Sequence, residues 1–333
     1  MILCSITAVV EIGYMLLTYI HLSKYSPGDM DDAHRTAIHA LVSGINPYSH
    51  NVSEVHPPNG PTTYIPFCYG FFDLFYYTLF FELLRSTNFG FIGVMMIANL
   101  VSLGVLCVFL KKLNFPFLFI IPTALCFILV FNDILVITCF VGFLYFYFKA
   151  KRYVVAAFML ALAVSVKPFP FLIVPLWLFQ KNRKLNEILV FFGTAILPTF
   201  AFGLMGPIDV FNASIWFQIS GRSKYAYMGG SLGYLIFNHW TTLLLILANL
   251  VLWIIYLKKN FSSDAIILSS LIFVLLSPAF LVYYIYYFFS VIAVSMVAEQ
   301  EIWKSRLLSL YKQYSERKKG LNPIIINQIQ YLE

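Results

Sequence analysis

The chain has 333 residues, of which 60% are apolar, 18% aromatic and only 11% charged, and its mean hydropathy is +0.81. That charge fraction is far below the one a soluble domain carries, so composition predicts an all-α polytopic membrane protein. A net charge of +7 does not point to nucleic acid, because the basic residues fall in short clusters at the ends of apolar runs rather than along one face.

The first apolar run, Met1 to Leu22, lacks a basic leader and a small-residue cleavage site and reads as a retained span. Glu11 within it is either buried near a site or paired with a neighbouring helix. Lys24 to Thr63 follows, the longest polar interval in the chain. Asp29, Asp31 and Asp32 stand there just before a helical pattern in which Ile38, Leu41 and Val42 repeat at i, i+3, i+4, and Gly44 with Pro47 ends it. The acids either cap this helix and favour the positive end of its dipole, or supply a general base where a water-soluble acceptor meets a lipid-borne reactant. Three acids exceed what a cap needs. His34 and His39 invite a metal reading with Asp31, but their spacing is not that of a ligand pair on one helix face and no further ligand cluster occurs, so a divalent metal is the minority reading.

Further apolar runs cover about 64–83, 90–110, 115–131, 134–148, 153–166, 168–180, 187–206, 232–257, 264–282 and 283–298. Basic clusters lie at Lys111 and Lys112, at Lys149, Lys151 and Arg152, at Lys181, Arg183 and Lys184, at Lys258 and Lys259, and from Lys304 to Lys319. The positive-inside rule puts all five in the cytoplasm. The outer tips are then Asn132 with Asp133, Lys167 to Pro170, Gly206 to Gly230, and Ser277 to Tyr284. For the acidic interval to share that face, the segment 64–83 must be re-entrant. Its Pro66, Gly70, Asp73 and Glu82 suit a buried, interrupted segment better than a lipid-facing span. About ten spans with both termini inside result.

Few polar residues remain inside apolar sequence. Lys167 precedes Pro-Phe-Pro where one helix breaks and the next begins. It either snorkels to the interface or, being the one basic residue at that tip, pairs with an anion such as a phosphate. Asp133, next to Asn132, caps a helix starting at Ile134 or belongs to a site. Arg222 and Lys224, with Trp216, Tyr225 and Tyr227 nearby, form an interfacial belt or bind a lipid phosphate or sugar. The five cysteines lie singly in apolar segments and imply neither a disulfide framework nor a zinc site. Asn51-Val52-Ser53 and Asn212-Ala213-Ser214 are glycosylation sequons in the two proposed outer loops. After Glu299, Ile302, Leu307, Leu308 and Leu310 alternate with lysines and arginines as in an inner-surface amphipathic segment, so residues 299–333 read as a cytoplasmic tail after a transmembrane domain of 1–298.

These motifs together carry a resemblance. The acidic patch, AIHALVSGINPY from Ala37 to Tyr48, Y-x-P from Tyr64 to Pro66, and K-P-x-P before P-L-W-L from Lys167 to Leu178 resemble the GT-C membrane glycosyltransferases, most closely glycosyltransferase family 87. The resemblance implies a multi-pass enzyme of the cell membrane that moves mannose from a polyprenyl-phosphate donor to a glycan or glycolipid acceptor with inversion. It places the catalytic acid among Asp32, Asp31 and Asp29, and makes the Y-x-P segment the one that re-enters the membrane. Lys167, Arg222, Lys224, Asp133, Asn132, Tyr48, Tyr64 and His34 are then the candidates for binding substrate, with membrane lipids as surroundings, no cofactor and no nucleic acid. Two departures stand out: Phe131, Asn132 and Asp133 replace a Gly-Gln-x-Asn tip, and Tyr283 with Tyr284 stands where a His-Tyr pair is common. A transporter or lipid flippase is the alternative, but it would show two related halves, and the acidic loop is not repeated.

Overall fold

A computed structural model of the chain describes residues 34–48, 51–55, 63–67, 70–87, 89–113, 133–167, 169–180, 183–201, 240–257 and 261–276, with isolated positions at 209, 295, 299, 304–305 and 308–311. Two compact units result, Met1–Ala298 and Glu299–Glu333. In the first, the described residues are helical apart from one two-stranded hairpin within the acidic interval.

Helix α1, Arg35–Val42, buries Ala37 and Ile38. It ends where the sequence predicts. Gly44 takes φ +77°, and the amides of Gly44 and Ile45 return to the carbonyls of Leu41 and Ala40 at 3.0 and 2.8 Å. This closes the orphan carbonyls of the last turn, and the left-handed residue at its centre is one glycine adopts freely. Strands β1, Asn51–Val55, and β2, Thr63–Pro66, then pair antiparallel, with Glu54 opposite Tyr64 and Val55 opposite Thr63. The apolar run expected over 64–83 is thus two elements: Pro66, which has no amide to donate, closes the strand, and helix α2, Phe71–Leu84, follows.

Helix α3, Phe91–Leu113, spans 23 residues, about 34 Å at the α-helical rise. It is the one described helix long and apolar enough to cross a membrane, and five apolar helices of 10–17 residues accompany it. Tyr76 donates to the Ala98 carbonyl and meets Ser102, Tyr77 donates to Asn99, and Phe81 meets Phe91. So α2 lies antiparallel along the first half of α3.

Helix α4, Asp133–Leu144, continues into a π-helical turn, Tyr145–Lys149. Thr138 donates to the Ser102 carbonyl at 3.1 Å, and Phe109 packs on Tyr145 and Phe146, so α3 and α4 run parallel. Helix α5, Tyr153–Val164, runs back: Gly142 faces Met159 and Tyr147 faces Tyr153. The ends therefore sort by charge. Lys111, Lys112, Lys149, Lys151 and Arg152 gather at one end of this trio, while Asp133 and Lys167 lie at the other.

The break expected at Lys167 is present: α5 stops at Val164, and a 3₁₀ turn, Phe169–Ile173, leads into α6, Val174–Leu178. Helices α7, Leu185–Ala201, α8, Thr241–Tyr256, and α9, Ser263–Leu276, complete the described bundle. Ser269 donates to Asn249 at 2.8 Å between α8 and α9, and the Trp253 indole donates to the Leu172 carbonyl at 3.0 Å. The outer surface is apolar as well as the core. Val101, Val105 and Val108 on α3 and Leu243, Leu247, Val251 and Ile254 on α8 are all exposed. The Arg183 side chain, in one of the basic clusters, is buried: it stacks on Trp177 and binds the Trp177 carbonyl, Gln180 and Glu187. A buried guanidinium needs these partners to offset its lost hydration.

Candidate functional site

The sequence motifs converge at the first turn of α2. Gly70, in an extended conformation, enters this helix with no side-chain cap, leaving its first amides to find other acceptors. The corner after α5 supplies them. Gly70 and Phe72 donate to the carbonyls of Val166 and Ser165 at 3.0 Å each, and the Asp73 amide reaches Ser165 at 3.4 Å. The approach is so close that a Cβ at position 70 would overlap the Ser165 main chain. Lys167, 9% exposed, is the next residue of that corner.

Asp73 is wholly buried, and its carboxylate accepts a hydrogen bond from His34 Nε2 at 2.6 Å. It stands in the first turn of α2. The His34 ring is also fully buried, with Phe67 and Tyr77 edge-on at 5.1 and 5.4 Å between centroids. Tyr77 is held in turn by its 2.6 Å hydrogen bond to Asn99 on α3. His39 packs on Phe81, and the Arg35 guanidinium lies over Phe91. So α1 lies parallel to α2, its N-terminus at Asp73.

Tyr48 is buried and meets Phe67 edge-on. Its amide bonds Asn46 Oδ1 at 3.0 Å, and the same Asn46 donates through Nδ2 to Asp209 at 3.0 Å. The polar interval after α1 therefore touches the interval that begins at Gly206. Tyr64 lies in β2 and Asp133 is the first residue of α4. Asp29, Asp31, Asp32, Asn132, Arg222 and Lys224 lie outside the described residues, as do Glu11, Asn212 and the runs 115–131 and 283–298. Among the described residues no group of three or more His, Cys, Asp or Glu could hold a metal ion.

Sequence reasoning used Asp73 only as an argument about topology and missed its pairing with His34. The available signal was its isolation, since a lone carboxylate in FFDLFYY demands a partner in an apolar setting. Neither a family profile, nor a curated protein, nor a solved structure matches the chain.

Proposed function

We propose that the chain is an integral-membrane glycosyltransferase of the GT-C kind, with mannose on a polyprenyl phosphate as donor and a glycan or glycolipid hydroxyl as acceptor. One observation carries the reading. Through the pairing of His34 with Asp73 and the amide contacts of α2 with Ser165 and Val166, the start of the helix that follows the acidic patch in sequence, the segment after Y-x-P and the Lys167 corner meet at one helix terminus. These are the three segments an inverting transfer from a lipid phosphate requires to be neighbours.

In this mechanism an aspartate, Asp32 before Asp31 and Asp29, takes the acceptor hydroxyl proton. The oxygen attacks the anomeric carbon as the bond from that carbon to the phosphate oxygen breaks, inverting the configuration. Such a base contributes roughly 10² to 10⁴ in rate. The departing phosphate gains charge, and Lys167 with Arg222 stabilises it more in the transition state than in the ground state, because the site holds little water. Lys224, Asp133, Asn132, Tyr48 and Tyr64 complete the surroundings of donor and acceptor, whereas His34, fully buried against Asp73, holds α1 in place rather than touching substrate.

The chain works as a bundle of about ten spans in the cell membrane. The exposed valines and leucines of α3 and α8 support this, since a helix facing water presents polar residues there. The re-entrant reading of 64–83 draws support from its division into β2, which closes at Pro66, and α2, which starts at Phe71, an interruption unlike a continuous lipid-facing span.

The test incubates membranes with radiolabelled polyprenyl-phosphate mannose and compares Asp29→Asn, Asp31→Asn and Asp32→Asn. Asn caps a helix as well as Asp does but cannot take a proton, so loss of the base lowers turnover at least about a hundredfold while donor binding changes little. Near-normal turnover in all three variants removes the general base from this cluster.

A further inference from the structure

Asp73 belongs to two joints at once. Its main-chain amide, with those of Gly70 and Phe72, faces the carbonyl corner that precedes Lys167. Its carboxylate, 39 residues from His34 in sequence, grips the imidazole at 2.6 Å. His34 follows Asp32 by one intervening residue, Ala33. Helix α1 has only eight residues, below the length at which an isolated helix holds together in water. Its order therefore comes from what it touches: Asp73 at its start, Phe81 beside His39, and Phe91 beneath Arg35.

We infer that Asp73 is a positioning residue, which sets α1, the helix that follows Asp29, Asp31 and Asp32 in sequence, against the corner that precedes Lys167 by holding His34 while its own helix terminus is fixed to residues 165 and 166. The inference rests on the proposed glycosyl transfer. Asp73 takes no proton from the acceptor and touches no reacting atom; it joins the start of α1 to the corner that precedes Lys167. Burial makes the clasp rigid. With both side chains fully buried, water does not compete for the bond, and Tyr77 and Phe67 leave the imidazole little room to turn. Among the acidic residues described in α2, Glu82 is different in kind: it lies exposed beside Arg85 at the far end of the helix.

The experiment uses the full chain in detergent with two readouts. Hydrogen exchange of the α1 amides, Arg35–Val42, reports the clasp without reference to activity. Transfer from radiolabelled polyprenyl-phosphate mannose reports its consequence. In Asp73→Ala and His34→Ala the α1 amides exchange faster while those of α3, Phe91–Leu113, do not. The kcat falls about a hundredfold, the scale on which an ångström of misplacement acts, with KM for the donor unchanged. The double variant is no worse than the poorer single one, because both remove the same contact. Asp73→Asn keeps an acceptor oxygen for the Nε2 proton, so it retains α1 protection and recovers most of kcat even if Asp73→Ala does not fold. Unchanged α1 exchange in Asp73→Ala, or losses that add in the double variant, overturns the positioning role. If the native chain transfers no sugar and yet α1 opens in the variants, glycosyl transfer falls and the hold of Asp73 on α1 stands.

Discussion

A methyl group at position 70 is the most direct probe of the joint between α2 and the Lys167 corner. Three main-chain hydrogen bonds cross it, from Gly70 to Val166 at 3.0 Å and from Phe72 and Asp73 to Ser165 at 3.0 and 3.4 Å. A Cβ on Gly70 would meet the carbonyl carbon and oxygen of Ser165, which are main chain and cannot rotate aside as a side chain would. Gly70→Ala must therefore part the two segments. Each such bond contributes about 0.5–1.5 kcal/mol net, and the 3.4 Å bond less than the others, so their loss costs about 2–3 kcal/mol. The smaller entropy of the unfolded alanine chain returns about 0.4–1 kcal/mol, which leaves a net destabilisation of about 1–3 kcal/mol. Gly104→Ala is the matched control. Gly104 lies within α3 with nothing within 4 Å of its would-be Cβ, so there the same change stabilises by about 0.5–1 kcal/mol through helix propensity alone. Thermal unfolding in detergent, run on both variants and the native chain, separates the signs. Gly70→Ala unfolding at or above the temperature of Gly104→Ala would refute the close approach and the joint built on it.

Two further outcomes follow from the same architecture. Lys167→Ala lowers turnover more than Lys167→Arg, because arginine still presents a cation to the phosphate, and loss of the charge costs about 2–4 kcal/mol in transition-state stabilisation, read from kcat with labelled donor. Equal, native turnover in both returns Lys167 to a snorkelling role. In a cysteine-free background in intact cells, an impermeant maleimide labels Ser43→Cys at the end of α1 and spares Lys151→Cys at the basic end; the reverse pattern inverts the orientation and removes the proposed donor.

The parts of the fold legible in sequence are those encoded within a few residues. The end of α1 could be read because Gly44 supplies a left-handed residue, although the buried face is Ala37 with Ile38, and Val42, expected to share it, is exposed. Likewise Pro168 and Pro170 after Lys167 forbid a continuous helix, and the structure breaks there. The β hairpin was harder, since Asn51–Val55 and Thr63–Pro66 are short and mixed in polarity, with no clean alternation to announce a strand. The pairing of His34 with Asp73 could not be read from either residue alone, because nothing local ties positions so far apart. Nor could the role of Gly70, whose small size serves a neighbour that arrives from another helix. Asp29, Asp31, Asp32, Arg222 and Lys224 lie outside the described residues, so for them the sequence argument stands by itself.

The hydrogen bond from Asn46 to Asp209 bears on how the protein is made. Its partners are 163 residues apart, against 39 for His34 and Asp73. At synthesis rates of about 5–20 residues per second, Asp73 leaves the ribosome roughly 2–8 s after His34, whereas Asp209 follows Asn46 by roughly 8–33 s. The histidine clasp has its partner early, Ser165 reaches Gly70 next, and the link to Asp209 can form only after most of the bundle has been delivered. A ribosome halted before residue 209 would hold a chain whose first described helix already has the carboxylate it docks on, Asp73, while Asn46 still waits for Asp209.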